Sequence, residues 1–281
     1  MSEIIFVCDF FVEDIIGGAE LTTEAIISKS PFNIKKVKSS NLNLEFISQN
    51  KTKNWIFGNF SHLGRDIIIH FIKSQIKYDV LEYDFKFCKF RSPQKHIKIE
   101  GSCNCHKEIT GKLISLFFHN ARNVWFMSKK QRQVITDKFS FLKGEKLHVL
   151  SSVFTEENLE HMKNLEVEKN DTYLIFKSDN WLKGTKHSID YASKNGLKYE
   201  LVFGLSYDQV ISKISKSKGL IFMPQAHDTS SRLTIEAKLL GCELHLNENV
   251  LQRDEPWFCN SVEETYNYLK DNCNQFWSSF E

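Results

Sequence analysis

The chain has 281 residues, of which 41% are hydrophobic and 13% aromatic, enough to fill one large or two modest cores. A formal net charge of +2 excludes a general electrostatic attraction to nucleic acid or to an anionic membrane. The seven cysteines are an odd number in a chain too long to need disulfide staples, which favours a reducing compartment. We therefore expect a soluble, cytoplasmic protein without a signal peptide or a transmembrane segment.

The first half of the chain alternates short apolar runs with amphipathic stretches. Residues 3–9 are typical of a strand buried on both faces, a loop with Gly17 and Gly18 follows, and the stretch 19–29 predicts a helix. The basic run 35–38 is interpreted as a solvated strand edge. Cys8 and Cys242 lie in apolar runs and are expected to be buried. Further strands are predicted at 55–57, 79–81, 124–127 and 148–150, and further helices at 66–76, 107–118 and 129–139.

A second alternating series follows a charged stretch, 155–171, that predicts a surface helix and a linker. Its strands are predicted at 173–176, 200–203, 219–223 and 242–246, and its helices at 183–195, 207–216, 231–240 and 261–273. Such alternation favours parallel sheets with helices on both faces. The predicted fold class is α/β, with two Rossmann-like domains facing each other across a cleft. We expect an N-terminal domain, a C-terminal domain and a last helix that packs back on the first domain, at residues 1–152, 153–258 and 259–281.

The segment from Pro224 to Gly241 is the most informative. A strand ends at Pro224, a polar loop follows, and a helix is predicted to begin near Ser231, with Thr229, Ser230 and Ser231 as N-cap candidates. Free amides and the positive end of a helix dipole suit a diphosphate. The segment therefore predicts a phosphate site at the carboxyl end of a parallel strand, where ligands bind in such sheets.

Within this segment, seven residues separate Asp228 from Glu236. This pattern is similar to the E-x7-E motif of retaining GT-B glycosyltransferases, and residues 236–242 resemble the "EAMAxG" helix of that family. The resemblance implies that Glu236 binds the nucleotide ribose, that Asp228 approaches the donor sugar, and that Thr229, Ser230, Ser231 and Arg232 contact the donor. Asp in place of the first Glu shortens the side chain by one methylene group.

Two glycine-containing loops extend the resemblance. Lys183-Gly184 resembles the "KG" loop that contacts the donor diphosphate, which implies that Lys183 stabilises the leaving nucleotide without a metal ion. The arginine that usually precedes this loop is absent. Gly17-Gly18-Ala19-Glu20 resembles the "GGAE" loop of family-4-like glycosyltransferases, and Gly17 and Gly18 are expected to let the backbone approach the donor closely.

Charged residues follow the strand predicted at 79–81. The segment that holds Glu82, Asp84, Lys86 and Arg91 is similar to an "EHDHKY…RxP" segment of a subset of viral and marine bacterial GT-B-like sequences. We expect these residues on the acceptor side, where Asp84 or Glu82 orients an acceptor hydroxyl and Lys86 or Arg91 meets a phosphate. The chain contains no Asp-x-Asp motif, which disfavours a GT-A enzyme.

The run Cys103-Asn104-Cys105-His106 is the one candidate for a metal site. Paired zinc cysteines usually stand two or more residues apart, and a second ligand pair is not evident in the sequence. We therefore expect no bound metal and no cofactor.

Together these features predict a metal-independent, retaining, hexosyltransferase-like enzyme that uses a nucleotide-diphosphate sugar. The predicted catalytic residues are Asp228, Glu236, Lys183 and Asp84. The acceptor stays open among a glycan, a lipid-linked sugar, a protein and a modified nucleobase. The alternatives are a catalytically inactive GT-B-like protein that binds a nucleotide-sugar or a glycan, and another Rossmann enzyme such as a sugar-nucleotide epimerase.

Overall fold

The structure is a computed structural model that describes residues 3–165 and 167–280. The described residues form two compact units. The first unit contains the residues up to Val153 together with those from Asn272 onward, and the second unit is Phe154–Asp271. The predicted domain limits at residues 152 and 258 stay predictions.

The first unit is built on a parallel sheet of six strands within the described residues, in the spatial order β2-β1-β3-β4-β5-β6. Apolar side chains fill most of β1, β3 and β5 on both faces, as the apolar runs predict, and β4 is equally buried but also carries the carboxyl groups of Asp79 and Glu82. The strands are β1 Glu3–Cys8, β2 Asn33–Lys38, β3 Asn54–Phe57, β4 Tyr78–Glu82, β5 Val124–Phe126 and β6 Leu147–Val149.

Six helices connect these strands within the described part of the unit. Side chains of Ser92 and Ser128 cap two of them by accepting backbone amide hydrogens. The helices are α1 Gly18–Ser28, α2 Leu44–Gln49, α3 Arg65–Ser74, α4 Pro93–Glu100, α5 Ile109–Asn120 and α6 Lys129–Lys138, with 3₁₀ turns at Ser39–Asn41 and Cys105–Lys107.

Aromatic side chains dominate the core of the first unit. Tyr78 stacks on Phe117 with ring centroids 4.5 Å apart and donates its hydroxyl to the Phe117 carbonyl at 2.7 Å. The end of the chain packs into the same unit, where Phe276 lies edge-on to Trp125 and the Trp277 indole donates to the Ile26 carbonyl at 3.0 Å. The aromatic tail is therefore part of this core.

The second unit contains a parallel sheet in the order β10-β9-β7-β8 among its described residues. Leu174, Leu220 and Ile235 are buried in one core, which α7, α9, α10 and α12 help to cover. The elements are α7 Glu156–Lys163, β7 Tyr173–Phe176, α8 Thr185–Lys194, β8 Tyr199–Val202, α9 Tyr207–Ser215, β9 Gly219–Phe222, α10 Arg232–Leu239, β10 Glu243–Leu246, α11 Pro256–Cys259 and α12 Val262–Ser278, with a 3₁₀ turn at Trp181–Lys183.

The prediction from the basic run 35–38 is confirmed, because β2 lies at the edge of its sheet. Lys36 pairs with Glu13 at 2.7 Å and with Glu24 at 2.6 Å, so the charges are matched locally. Cys8 is buried as expected, whereas Cys242 is only partly buried, so the prediction of full burial is wrong for this residue. Among the described helices, none is long and apolar enough to cross a bilayer.

Candidate functional site

Two loops of the second unit meet at the carboxyl ends of β7 and β9. Lys183 lies after β7 and Asp228 after β9, 45 residues further along the chain, yet Lys183 Nζ donates to Asp228 Oδ2 at 2.8 Å. The Lys183 side chain is 48% exposed and that of Asp228 12%. The charge of Asp228 raises the pKa of Lys183. The structure thus brings together the two residues that the "KG" and E-x7-E resemblances indicated separately.

Gly184 holds the first of these loops close to the second. Its φ of 69° lies in the left-handed region, and a Cβ at this position would stand 1.9 Å from the Met223 carbonyl oxygen. The backbone amide of Gln225 donates to the Leu182 carbonyl at 2.8 Å. Only glycine fits this position, and the two loops are fixed against each other by their backbones.

The loop after β9 is also held from β10. Asn247 and Asn249 both donate their side-chain amides to the Pro224 carbonyl at 2.8 Å. Asp228 forms a parallel bridge with Val250. Sequence reasoning missed both asparagines, although polar amides that directly follow an apolar strand at a sheet edge are a usable signal.

Helix α10 begins beside this loop. Ser231 occupies its N-cap position, as one of the three predicted candidates, although the Ser231 side chain makes no capping hydrogen bond. Thr229 and Ser230 precede it and are half-buried. The guanidinium of Arg232 stacks over the Phe154 ring at 3.8 Å, an arrangement that fixes the first turn of the helix.

Glu236 lies one turn further along α10 and is only 4% exposed. The Tyr207 hydroxyl donates to its Oε1 at 3.1 Å, and Arg232 Nε lies 3.6 Å from the same oxygen. Burial raises the pKa of Glu236, and the charge of Arg232 opposes that effect. Glu236 is therefore a buried, partnered carboxyl group, and the predicted ribose contact stays a prediction.

The first unit carries a charged cluster at the end of β4. Lys86 Nζ lies 3.4 Å from Glu82 Oε2 and 3.5 Å from Asp84 Oδ1, and Arg91 Nε donates to Asp84 Oδ2 at 2.7 Å. Burial raises the pKa of Glu82 to about 7 despite Lys86. Burial opposes the charge of Asp84 too, but Lys86 and Arg91 outweigh it and lower the pKa of Asp84. The four predicted acceptor-side residues thus come together as one cluster.

The backbone around this cluster is tightly held. Arg91 adopts a left-handed φ of 55°, uncommon outside glycine, and donates to Asn59 Oδ1 at 2.7 Å. Gln131 donates its side-chain amide to the carbonyls of Glu82 and Asp84 at 2.8 and 2.7 Å. These contacts fix the backbone positions from which the charged side chains extend.

Sequence reasoning missed Asp9, which follows β1. Asp9 is buried and accepts from the amides of Ser61 and His62 at 2.7 and 2.9 Å, and also from the Ser39 hydroxyl. A carboxylate directly after a buried strand was the available signal, because the carboxyl ends of parallel strands share one edge of the sheet.

The "GGAE" loop also has a defined geometry. Gly17 is the N-cap residue of α1 in an extended conformation, and Gly18 is the first helical residue. A Cβ on Gly17 would stand 2.5 Å from Glu20 Oε2, so glycine at this position makes room for Glu20. Burial raises the pKa of Glu20, which is opposed by the charge of Arg91.

Comparisons with known proteins are informative for the fold. No protein-family model and no curated protein sequence matches the chain. Two solved structures of HepE from Anabaena are similar to it. One, in complex with UDP and glucose, has a TM-score of 0.58 at 9% identity, and the match covers 100% of this chain and 98% of the HepE chain. The other, in complex with UDP-glucose, has a TM-score of 0.54 at 10% identity, and the match covers 98% of this chain and 91% of the HepE chain. The S. aureus MnaA–UDP structure has a TM-score of 0.48 at 11% identity, with 96% and 87% covered. The predicted α/β fold class of Rossmann-like domains, GT-B, is confirmed.

Proposed function

We propose that the chain is a glycosyltransferase that binds a nucleotide-sugar donor in its second unit, at Lys183, Gly184 and the loop 224–231. The observation that carries the proposal is the 2.8 Å contact between Lys183 and Asp228, since it joins two motifs that resemble separate parts of one donor site. The fold is that of structures solved with UDP and with UDP-glucose, which supports a nucleotide-diphosphate sugar as the donor.

The chemistry that these residues support is departure of a nucleoside diphosphate. When the bond between the anomeric carbon and the phosphate oxygen breaks, negative charge grows on the diphosphate. The ammonium of Lys183 and the amides at the start of α10 are positioned to stabilise that charge without a metal ion. Before the donor binds, Asp228 holds the ammonium of Lys183 in place. When the donor is bound, that ammonium contacts the diphosphate instead.

Glu236 is the proposed ribose contact. Its described contacts, from Tyr207 and Arg232, both engage Oε1, so Oε2 is the atom proposed to accept from the ribose diol. The buried setting strengthens such a hydrogen bond, because few waters compete for the carboxylate. The E-x7-E resemblance supports transfer with retention of the anomeric configuration.

The first unit supplies the proposed acceptor-side groups. Asp84 stays ionised because Lys86 and Arg91 lower its pKa, so it is suited to accept a hydrogen bond from an acceptor hydroxyl. Arg91, whose side chain is 40% exposed, is suited to an anionic group on the acceptor, whereas Lys86 is buried between Glu82 and Asp84 and is suited to hold Asp84 in place.

Donor turnover tests the proposal. The chain is incubated with UDP-, GDP- and ADP-sugars, and release of nucleoside diphosphate is followed by liquid chromatography. We expect slow hydrolysis of one donor class, lost in Glu236→Gln and Asp228→Asn and retained in Asp171→Asn, an exposed carboxylate of the same unit. Donor binding without turnover would favour the alternative, a nucleotide-sugar-binding protein. If the chain neither bound nor hydrolysed any of these donors, the proposal would be overturned.

A further inference from the structure

A cluster of thiols and one imidazole lies in the first unit, outside the sites described above. The ligand atoms of Cys88, His96, Cys103 and Cys105 all lie within 4.8 Å of one another. Cys88 Sγ is 3.7 Å from Cys103 Sγ, and His96 Nδ1 is 3.6 Å from Cys88 Sγ and 3.2 Å from Cys105 Sγ. Cys88, His96 and Cys105 are buried, and Cys103 is half-buried.

We propose that these four side chains bind one Zn²⁺ ion as a structural Cys₃His site. With a Zn–S bond of about 2.3 Å, two thiolate ligands of a tetrahedral ion stand roughly 3.8 Å apart, and a sulfur and a nitrogen ligand roughly 3.5 Å apart. The Cys88–Cys103 separation of 3.7 Å and the two sulfur–nitrogen separations of 3.6 and 3.2 Å match these values. Four protein ligands close the coordination sphere, which is the pattern of a structural site.

The surroundings of His96 support the same assignment. Nδ1 faces the sulfur atoms, whereas Nε2 lies 2.9 Å from Glu100 Oε2. A zinc-bound histidine usually donates its other ring hydrogen to a carboxylate, which fixes the tautomer and strengthens the metal bond. Lys89 Nζ lies 2.7 Å from Glu100 Oε1 and offsets part of the negative charge that three thiolates bring.

Backbone geometry delivers the ligands from four separate positions. The Ser92 side chain caps α4 and so sets the first turn, which holds His96; Gly101, with φ 77°, ends that helix and returns the chain toward Cys103. Gly111 in α5 completes the arrangement, because a Cβ there would stand 2.0 Å from the Cys105 carbonyl oxygen. The close approach of α5 to the Cys105 turn thus depends on glycine.

The second ligand pair, which the sequence did not reveal, is Cys88 and His96. Cys88 lies 15 residues before Cys103, and His96 lies nine before Cys105. The spacing C-x7-H-x6-C-x-C does not follow the paired pattern of zinc fingers, because a helix separates the ligands. Cys88 and His96 thus complete a set of four ligands that the run 103–106 does not show by itself.

Binding of zinc at these residues is coupled to the release of protons from the cysteine thiols. Zinc binds the thiolate form of cysteine, so each cysteine ligand must lose its proton when the ion binds. A zinc ion would displace the thiol protons to solvent as it binds. Binding is therefore expected to weaken as the pH falls.

The site also bears on the charged cluster at the end of β4. The amide of Arg91 donates to the Cys88 carbonyl at 2.7 Å, and the amide of Cys88 donates to Phe85 at 2.9 Å. A metal bound to Cys88 would thus hold the turn in which Arg91 keeps its left-handed conformation. The inference concerns this loop alone and does not depend on the proposed glycosyl transfer.

The test is metal analysis of the full chain, purified under reducing conditions without chelator and then dialysed against zinc-free buffer. We expect one equivalent of zinc per chain by inductively coupled plasma mass spectrometry. Cys105→Ser and the double variant Cys103→Ser/Cys105→Ser should lose at least nine-tenths of it. Cys259→Ser, which removes an exposed cysteine of the second unit, should keep it.

A second measurement keeps the test independent of folding defects in the variants. Replacement of zinc by Co²⁺ in the unmodified chain should give the thiolate charge-transfer band and the intense visible bands of tetrahedral cobalt. Any one of four results would overturn the proposal. These are less than a tenth of an equivalent of zinc in the unmodified chain, zinc retained by the double variant, iron in place of zinc, and a Cys88–Cys103 disulfide in peptide mapping.

Discussion

Glu82 gives the sharpest prediction about the energetics of the first unit. Its carboxyl group is fully buried at the end of β4, where it accepts from the Lys86 amide at 2.9 Å and faces the Lys86 ammonium at 3.4 Å. Burial nevertheless raises its pKa from 4.5 to about 7. Replacing it by Gln, which has nearly the same shape and does not ionise, should change how the stability of the unit depends on pH.

The sign and size follow from the two pKa values. Below about pH 4.5, Glu82 is protonated in both the folded and the unfolded chain, and its ionisation costs nothing. Between that pH and about 7 the unfolded chain loses the proton while the folded chain keeps it, so folding becomes less favourable as the pH rises. A difference of roughly 2.5 pKa units corresponds to about 3 kcal/mol of lost stability, which is fully developed above pH 7. Glu82→Gln should not show this loss.

The assay is urea unfolding at several pH values between about 4.5 and 8, the window that the two pKa values define. Tryptophan fluorescence in a background of Trp181→Phe and Trp257→Phe reports on the first unit, because the other tryptophans belong to it. Glu45→Gln, at an exposed position, controls for the loss of one carboxylate. The free energy of unfolding of the parent protein should fall by about 3 kcal/mol relative to Glu82→Gln across this range. If the free energies of unfolding of the parent protein and of Glu82→Gln changed with pH in the same way, the reasoning would be refuted, since Glu82 would then have the same pKa in the folded and the unfolded chain.

Two further predictions concern stability. Gly184→Ala should lower the stability of the second unit by more than twice as much as Gly204→Ala. Both glycines have a positive φ, but only at Gly184 would the added Cβ collide with backbone atoms. At Gly204 the backbone strain alone is expected to cost about 1 kcal/mol. Equal losses in thermal unfolding would contradict this. Asp79→Ala should cost about 3 kcal/mol or more, since it removes a fully buried carboxylate that accepts hydrogen bonds from Arg122 and Asn123. Loss of the exposed ion pair in Asp190→Ala should cost less than about 1 kcal/mol. A small loss for Asp79→Ala in urea unfolding would count against the buried pair.

The sequence predicted the central strands well and the polar elements poorly. β1, β3 and β5 are short, mostly apolar runs, and burial on both faces leaves few other structures for such runs; in β4 the same prediction rested on Val80 and Leu81, although Asp79 and Glu82 are buried beside them. The short helices α2 and α4 were missed, because they carry few apolar residues at helical spacing and are defined by side-chain caps, Asn43 and Ser92. The last helix, α12, extends to Ser278, five residues beyond the prediction, since its aromatic residues pack into the first unit's core.

For the candidate sites, sequence reasoning worked where each motif lies within one short segment. Lys183 and Asp228 were indicated by motifs and do lie together. The burial of Glu236 was not predicted, because the Tyr207 contact comes from a helix 29 residues earlier. The Cys88–His96 pair was hidden for the same reason: its members become neighbours only through the path of a loop and a helix.

Binding of a nucleotide-sugar donor tests the central claim most directly, with isothermal titration calorimetry of UDP-, GDP- and ADP-glucose on the parent chain and of the donor that binds on Lys183→Ala and Lys198→Ala. Lys198 is the matched control, since it also pairs with an aspartate at 2.7 Å in the second unit but lies outside the proposed site. We predict saturable binding to the parent chain, a loss of affinity of about tenfold or more in Lys183→Ala, as expected for a charge-assisted phosphate contact of about 1.5–3 kcal/mol, and unchanged affinity in Lys198→Ala. Equal affinities in the parent chain and Lys183→Ala would contradict a donor site at Lys183.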